Sequence, residues 1–412
     1  MMRLTYTVRL TFIAAFCVFI VLPLADGSWG SAPVALEEKR MSSRFPKIEV
    51  IFSDPRKYLR QLESYFNDHF GLRQPLVEWQ SRLKYFGLGV SSSEDVLLGK
   101  DGWLFWAMKR DGDIIGYYRG LKTLSSDDLS VLTDKLQVRT DWLRSRGVSY
   151  IFLPAPSKHG IHPEYLPDTV TRLQDADRLG HFLDHARRHT TVSVVDPRPR
   201  LLKAKQHWPV YHRTDTHWNA YGAYAAYSAL IEVLRKKFPE LTPMSLSAQD
   251  FERVAGAWSY AIPTMPFLPS EGIRDRNPPG GDIAGILGLG RVLRDESIIP
   301  RKPKKRCARV VPTPYRPKGW EHVSDGGNAI LGHKGLLTTV CDGKPLKALV
   351  IHDSFGPLLA PYLSETFGQI TYVWTDQFDV VKDFVENEKV DVVIQIYAER
   401  HLLPEFWNWL PS

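Results

Sequence analysis

Short apolar segments alternate with helical segments along the chain, and this alternation constrains the fold more than any other feature. The predicted strands cover residues 148–154, 191–195, 346–351, 369–374 and 390–397. The predicted helices cover residues 127–146, 174–189, 219–237, 358–367 and 380–388. Strands and helices that alternate with short connections are typical of a parallel sheet covered by helices on both faces. The sequence therefore predicts an α/β fold with a sheet of this kind.

Two regions flank the predicted sheet on its N-terminal side. Residues 28–95 contain a linker at 28–34 and apolar residues at helical spacing over 57–86. Gly71 and Pro75 interrupt that spacing, so two helices are favoured over one. A hairpin is predicted at residues 96–105, with Lys-Asp-Gly at its turn and apolar arms on both sides. The main domain is therefore predicted to cover residues 96–412.

The stretch from residue 241 to residue 343 is rich in Pro and Gly and has little periodicity. A structureless loop of that length is implausible inside a compact domain. We therefore interpret it as an insertion that carries short strands and active-site loops.

The N-terminal segment has the pattern of an export signal. Arg3 and Arg9 precede a mostly apolar run at residues 10–25. That run is shorter than the roughly twenty residues needed for a full membrane span. Pro23 occupies a position where a cleavage site would have a small side chain. Residues 1–27 are therefore predicted to be either an uncleaved signal anchor or a cleaved signal peptide, with the rest of the chain in the periplasm.

Cys307 and Cys341 are the only cysteines after Cys17, which lies in the apolar run. An oxidising compartment permits a bridge between them. The sequence alone does not bring their Cα atoms within the roughly 7 Å that a bridge requires. A disulfide and two separate buried thiols are both open at this point.

The chain is basic, with a formal net charge of +7 and a pI of about 9.1. This fits an anionic partner such as an acidic polysaccharide, a membrane surface or nucleic acid. Part of the excess lies in residues 301–306, which a solvated loop explains as well as a binding patch does. Because no zinc-finger spacing or RNA-binding signature is present, a nucleic-acid partner is not expected.

Ser354 follows the predicted strand at 346–351 and precedes a predicted helix. A serine at such a turn lies at the carboxyl edge of a parallel sheet, where open α/β sheets place their sites. The start of the helix also offers backbone N–H groups to a developing oxyanion. From this segment alone, Ser354 could be a nucleophile or only the cap of the helix.

Asp215 and His217 stand two residues apart, directly before the helix predicted at 219–237. A serine nucleophile needs a base within hydrogen-bonding reach, and the base needs a carboxylate that fixes its tautomer. An Asp-x-His pair taken alone is more often a cap carboxylate beside an incidental histidine. Together with the Ser354 turn, however, the pair predicts a Ser-His-Asp triad. No metal or cofactor is expected, because the remaining histidines have no closed ligand group.

Several motifs resemble the alginate O-acetyltransferase AlgJ/AlgX family, in the same order along the chain from about residue 38 to the end. They are Phe45-Pro46, residues 99–105, residues 154–158, residues 215–219 with Gly222, residues 280–283, residues 353–355 and Glu399-Arg400. The resemblance implies an SGNH-hydrolase-like fold, circularly permuted so that the Asp-x-His pair precedes the serine. It also implies the AlgJ type, which lacks a C-terminal carbohydrate-binding module. One departure is His352, which stands where this turn often has glycine.

The resemblance also implies a function, namely periplasmic O-acetylation of an exopolysaccharide with acetyl groups supplied by a membrane-bound O-acyltransferase partner. It places the nucleophile on Ser354, the base on His217 and the orienting acid on Asp215.

Lys158, Tyr397 and Arg400 are further candidates, in this case for substrate binding. Lys158 could instead be an ordinary exposed lysine, and Arg400 a structural partner of Glu399 or of another acid.

Two other functions fit the same residues. An esterase that removes acetyl groups would use the same triad, with water as the acceptor. A non-catalytic subunit that binds polysaccharide or assembles with other proteins could retain the fold alone.

Overall fold

The computed structural model describes Thr11, Ile13, Ala14 and Phe16, and residues 43–69, 73–174, 177–256, 280–301, 307–320, 335–375 and 377–407. The chain divides into two compact units. One comprises residues 1–93 and 284–291, and the other comprises residues 94–283 and 292–412.

The first unit is helical. Its helices are α1 (Glu49–Ser53), α2 (Pro55–His69) and α3 (Arg73–Arg82), and α3 continues into a π-helical turn at Leu83–Gly87. The prediction of two helices over residues 57–86 is confirmed. The segment 284–291 joins this unit through Ser92, whose hydroxyl accepts a hydrogen bond from Ser81 and donates one to the carbonyl of Leu287.

The predicted export segment and the linker at 28–34 lie almost entirely outside the described residues. The four described residues of the apolar run are helical. Among the described residues, no helix combines the length and the apolar character that a membrane span requires.

The second unit contains the sheets. Its strands are β1 (Val96–Leu98), β2 (Leu104–Trp106), β3 (Ser149–Ala155), β4 (Ser193–Val194), β5 (Phe251–Ala255), β6 (Glu296–Pro300), β7 (Arg309–Val311), β8 (Leu336–Val340), β9 (Lys347–His352), β10 (Gln369–Trp374) and β11 (Val392–Ala398). The central sheet has the order β4-β3-β11-β9-β10-β8-β7. The predicted hairpin at 96–105 is present as the antiparallel pair β1–β2, and β5 pairs with β6 in the same way.

The second unit also contains helices. They are α4 (Ile114–Arg119), α5 (Ser126–Arg144), α6 (Lys158–Ile161), α7 (Arg178–His189), α8 (Arg198–Ala204), α9 (Ala220–Lys237), α10 (Asp282–Ile286), α11 (Ala360–Leu363) and α12 (Phe378–Asn387). Short 3₁₀ turns lie at Lys100–Gly102, Pro163–Tyr165, Ala248–Asp250, Glu399–His401 and Pro404–Trp407. The helix α10 contributes residues to both units.

The central strands are apolar on both faces because helices cover both sides of the sheet. On one side, Ile394 and Ile396 of β11 pack in a core that includes the buried residues of α9. On the other side, Val393 of β11 packs with buried residues of α5, α7 and α12. This is the three-layer α/β arrangement that the alternating pattern predicted.

The prediction of a wholly parallel sheet is wrong at one edge. The strands β4, β3, β11, β9 and β10 are parallel, whereas β8 runs antiparallel to β10 and β7 antiparallel to β8. Only residues 341–346 connect β8 to β9. A parallel crossover needs a dozen or more residues, so this link forces β8 to run in the opposite direction. The insertion thus carries short strands, as predicted, and two of them extend the sheet.

The helix predicted at 358–367 is shortened to Ala360–Leu363. Turns with bonds between residues three apart precede it, such as Leu359 N donating to the carbonyl of Gly356 at 2.9 Å. Because Pro361 has no N–H to donate, the helix begins at Ala360, which places Pro361 in the first turn, where proline is tolerated.

Cys307 and Cys341 form a disulfide, with their Cα atoms 4.8 Å apart. Of the two alternatives that the sequence left open, the disulfide is confirmed, and the alternative of two separate thiols is wrong. The bridge joins the residue pair just before β7 to the end of β8, and it therefore links the two antiparallel strands at this edge of the sheet covalently. Residues 302–306 of the basic run lie outside the described residues.

Candidate active site

The carboxyl edge of the parallel strands carries a small cleft. The turns that follow β3, β9 and β11 contribute to it, as the rule for open α/β sheets predicts. Its lining residues are Trp106, Ile114, Ala155, Pro156, Ser157, Lys158, His159, Thr216, Phe355, Ala398, Glu399 and Arg400.

Asp215 and His217 form a buried hydrogen-bonded pair. The Nδ1 atom of His217 lies 2.7 Å from Asp215 Oδ1, and the backbone N–H of His217 donates to the same oxygen at 2.9 Å. Both side chains are about 1% exposed. Burial alone would raise the pKa of Asp215, but the adjacent His217 imidazole lowers it well below its usual value. A charged Asp215 that engages Nδ1 leaves Nε2 as the ring atom that could exchange a proton with a nucleophile.

A tight loop presents this pair. Tyr211 and Trp218 form an antiparallel bridge across its base. The side chain of Asn219 then accepts a hydrogen bond from Gly222 N at 3.0 Å and so caps α9. We call residues 211–218 the base loop.

The insertion supports the base loop through two carboxylates. Asp282 accepts from the backbone N–H of Thr216 at 2.8 Å and from its hydroxyl at 2.7 Å. Asp295 accepts from the backbone N–H and the hydroxyl of Thr214, both at 2.6 Å. The backbone N–H of Asp282 donates to Asp215 Oδ2 at 2.9 Å. The shape of the base loop therefore depends on residues more than sixty positions further along the chain.

Gly281 lets the insertion come this close. A Cβ atom added at Gly281 would lie 2.3 Å from the Cβ atom of Asp215. Only glycine permits this approach, which explains why a Gly-Gly-Asp sequence lies at this point.

The Ser354 turn, which comprises residues 352–356, follows β9 directly. Ser354 is half-buried. The carboxylate of Asp353 accepts from Phe355 N at 2.9 Å and from Ala398 N at 2.7 Å, so it ties the turn to itself and to the end of β11. The ring of His352 fits because residue 356 is glycine, where an added Cβ would lie 2.3 Å from Cγ of that ring.

The base loop and the Ser354 turn are in contact. The rings of His217 and Phe355 have centroids 4.8 Å apart. The indole N–H of Trp218 donates to the carbonyl of Phe355 at 3.2 Å. The two segments that the sequence analysis paired are thus neighbours in space, although 137 positions separate Trp218 from Phe355.

Lys158 is buried rather than exposed, so its interpretation as an ordinary surface lysine is wrong. Its Nζ donates to the carbonyls of His212, Arg213 and Asp215 at 3.2, 3.2 and 2.8 Å. Burial lowers the pKa of Lys158 to about 8, against the attraction of nearby carboxylates. Lys158 therefore lines the cleft and fastens the base loop at the same time.

Arg400 has an acidic partner, but it is Asp111 rather than Glu399. The Nε atom of Arg400 lies 3.0 Å from Asp111 Oδ2. Glu399 instead accepts from Ser157 N at 2.7 Å. Tyr397 is 7% exposed, and its hydroxyl donates to the carbonyl of Thr375.

The sequence analysis did not assign roles to Asp282, Asp295, Asp111 or His401. For Asp282 a signal was present in the Gly280-Gly281-Asp282 motif, whereas the others lie in segments with no recognisable pattern. The side chains of Asp215, His217 and Asp282 lie close enough to ligate a cation, with ligand atoms within 4.8 Å of one another. Each of the four carboxylate oxygens, however, already accepts a hydrogen bond.

Comparison with known proteins agrees with this architecture. Residues 96–262 match the family model described as "SGNH hydrolase-like domain, acetyltransferase AlgX". The chain is 26% identical to the "Probable alginate O-acetylase AlgJ" of Pseudomonas syringae pv. tomato, over 97% of this chain and 89% of that protein. It is 24% identical to the protein of the same name from Pseudomonas putida, over 97% of this chain and 91% of that protein.

A solved structure, the O-acetyltransferase domain of Pseudomonas putida AlgJ, aligns at 20% identity over 75% of this chain and 92% of that domain. The TM-score of this superposition is 0.42. The sequence matches confirm the resemblance to the AlgJ/AlgX family and the SGNH-hydrolase-like α/β fold.

Proposed function

We propose that this chain, as a relative of the AlgJ/AlgX proteins, transfers acetyl groups to hydroxyl groups of a polysaccharide. The observation that carries the proposal is the buried Asp215–His217 pair, with a 2.7 Å hydrogen bond, in contact with the turn that bears Ser354. The relatives named as alginate O-acetylases supply the type of group transferred and the class of acceptor.

The proposed reaction has two halves. The hydroxyl oxygen of Ser354 attacks the carbonyl carbon of an acetyl donor while His217 takes the serine proton. The bond between the acetyl carbon and the rest of the donor then breaks, that leaving group departs with the proton from His217, and an acetyl ester remains on Ser354. A sugar hydroxyl then attacks the ester, His217 takes its proton, and the proton returns to Ser354 as the acetylated sugar departs. Asp215 stabilises the imidazolium that forms in each half.

We propose a substrate-binding role for Arg400 and supporting roles for Lys158 and Tyr397, the other two residues predicted to bind substrate. Arg400 lines it and is positioned to interact with polar groups of a sugar. Lys158 also lines the cleft. Because its Nζ already donates to backbone carbonyls, it contributes mainly a positive electrostatic potential there. Tyr397 lies at the end of β11, and its hydroxyl already has an acceptor, so we assign it packing beneath the cleft.

We also propose that the chain acts in the periplasm, anchored to the inner membrane through residues 1–27. A membrane-bound O-acyltransferase would supply the acetyl groups. The Cys307–Cys341 bridge supports this location, because structural disulfides persist in oxidising compartments. In cells, protease added to spheroplasts should digest the chain, which should fractionate with the membrane. A protease-resistant cytosolic pool as the main species would contradict this location.

The proposed activity is tested by incubating the purified chain with p-nitrophenyl acetate, with and without an oligosaccharide acceptor. Without the acceptor, a transferase should release little free acetate. With the acceptor, it should acetylate the oligosaccharide, as measured by mass spectrometry. Release of free acetate at the same rate with and without acceptor would favour the esterase. An inert chain that still binds the oligosaccharide would favour the non-catalytic subunit.

A further inference from the structure

A row of charged side chains lies behind the Ser354 turn. His401 Nδ1 lies 3.4 Å from Asp353 Oδ2, and His401 Nε2 lies 3.5 Å from Asp111 Oδ1. The other oxygen of Asp111 lies 3.0 Å from Arg400 Nε. These contacts link the turn after β9, the turn after β11 and the loop before α4. None of these side chains belongs to the proposed triad.

His401 has a carboxylate at each of its ring nitrogens. A neutral imidazole carries one N–H and can satisfy only one of them, whereas an imidazolium donates to both. Burial alone would lower the pKa of His401, but its hydrogen bonds to Asp111 and Asp353 raise it above the usual value, with the charge of Arg400 opposing them. Among the described residues, the charged groups that act on this imidazole are Asp111, Asp353 and Arg400, and the ring of Phe406 lies with its centroid 5.0 Å away.

The carboxylate that His401 contacts shapes the nucleophile turn. Asp353 directly precedes Ser354, and its oxygens accept from Phe355 N and Ala398 N. A shift of the Asp353 side chain would therefore move the backbone on both sides of Ser354. Burial on its own would raise the pKa of Asp353, but the hydrogen bond from His401 and the nearby Arg400 lower it.

The Asp111 end of this row of charged side chains is also held in place. The guanidinium of Arg178 donates to the carbonyl of Arg400 at 2.9 Å and also to the carbonyl of Gly112. Gly112 has φ +82°, and a Cβ added there would lie 2.3 Å from the Arg400 carbonyl oxygen. Asp111 is thus held against the turn that carries His401, so the imidazole has a rigid support behind it.

We propose that His401, as an imidazolium bridging Asp111 and Asp353, is a positioning residue for Ser354 and that full turnover requires this bridge. The inference rests on the proposed function for its turnover readout. A raised folded-state pKa means that the stabilisation is fully present below the unfolded value of about 6.5 and is lost as the pH rises through the folded-state value. The bridge should therefore open on the alkaline side and lower kcat there, with little effect on KM.

The test compares His401→Gln and Asp111→Asn with wild type in the full chain, and uses His207→Gln as an exposed-histidine control. With p-nitrophenyl acetate and the oligosaccharide acceptor, His401→Gln should lower kcat by about 10- to 100-fold, the cost of slight misplacement of a reacting group. The decrease in kcat at alkaline pH that results from deprotonation of His401 should also be absent in this variant. Any fall caused by Lys158, whose pKa is about 8, should remain in this variant. A wild-type kcat, or a reduced kcat with an unchanged pH profile, would overturn the proposal.

Two further measurements need no acetyl transfer, so they separate this proposal from the proposed function. In an NMR titration of the imidazoles, His401 should titrate above the usual value in wild type and lower in Asp111→Asn. Labelling of Ser354 by a fluorophosphonate should be slower in His401→Gln than in wild type. A His401 pKa at or below the usual value, or equal labelling rates, would overturn the proposal even if wild type proved inert towards acetyl esters.

Discussion

The base loop and the Ser354 turn meet at one cleft but are supported in different ways. Three side chains hold the base loop: Lys158 donates hydrogen bonds to its carbonyls, and Asp282 and Asp295 of the insertion accept hydrogen bonds from its threonines. The Ser354 turn accepts one hydrogen bond from Trp218 and is otherwise tied to the end of β11 through Asp353, which His401 contacts. Because several independent contacts stabilise the base loop, the loss of one of them should reduce turnover only in part. The turn should respond more sharply to its one ionic link and to pH.

The largest effect should come from removing the groups proposed to react. Ser354→Ala and His217→Ala should each lower turnover by on the order of 10⁴ to 10⁶, and Asp215→Ala by less, as for residues that act as a unit. A residue that only caps a helix would cost about 1 kcal/mol of stability and little activity. Turnover of an acetyl ester, with melting temperatures recorded alongside, distinguishes the two. Near wild-type activity in Ser354→Ala would exclude the triad.

A smaller effect is expected when the insertion is pushed away from the base loop. In Gly281→Ala the new Cβ would lie 2.3 Å from the Asp215 Cβ, so one of the two segments must shift. A displacement of this kind should lower turnover by about 100-fold. Gly160→Ala is a matched control, because nothing lies within 4 Å of a Cβ added there. Equal kcat values for the two variants would show that the base loop does not depend on this contact.

A still smaller effect should follow from loss of a single carboxylate under the base loop. In Asp295→Asn the hydrogen bonds to Thr214 weaken, while Asp282 and Lys158 still hold the loop. We expect a loss of about 1 to 3 kcal/mol in the free energy of unfolding, as for a buried charged hydrogen bond. Turnover should fall by less than it does in Gly281→Ala. A loss as large as that of His217→Ala would contradict the idea that the base loop has redundant support.

The disulfide should matter least for turnover. It closes a loop with a sequence separation of 34, for which chain entropy predicts about 3 to 4 kcal/mol of stabilisation. Cys307→Ser together with Cys341→Ser should therefore lower the free energy of unfolding and leave kcat close to wild type. Denatured, unreduced wild type should not react with an alkylating reagent at either cysteine. Reaction at both would exclude the bridge.

The sequence predicted the parts of this molecule that depend on local patterns. Buried strands such as β9 and β11, and the pairing of the Ser354 turn with Asp215 and His217, follow from apolar spacing and from the chemistry that a serine nucleophile needs. Short strands were predicted in the insertion, but the antiparallel direction of β8 was not, because it depends on the length of the link to β9 and not on the composition of β8 itself. Asp295 and His401 were missed because their roles arise only from contacts between distant segments, and no local spacing marks them.

The covalent state of Ser354 during turnover tests the central claim most directly. Wild type would be mixed with p-nitrophenyl acetate, quenched rapidly in acid and digested, and the acetylated peptides identified by mass spectrometry. The account predicts one acetyl group on the peptide that contains Ser354, formed before the first turnover is complete, depleted by an added oligosaccharide acceptor and absent in Ser354→Ala. Continued turnover with no acetyl group on that peptide, or with the acetyl group on another residue that also appears in Ser354→Ala, would contradict it.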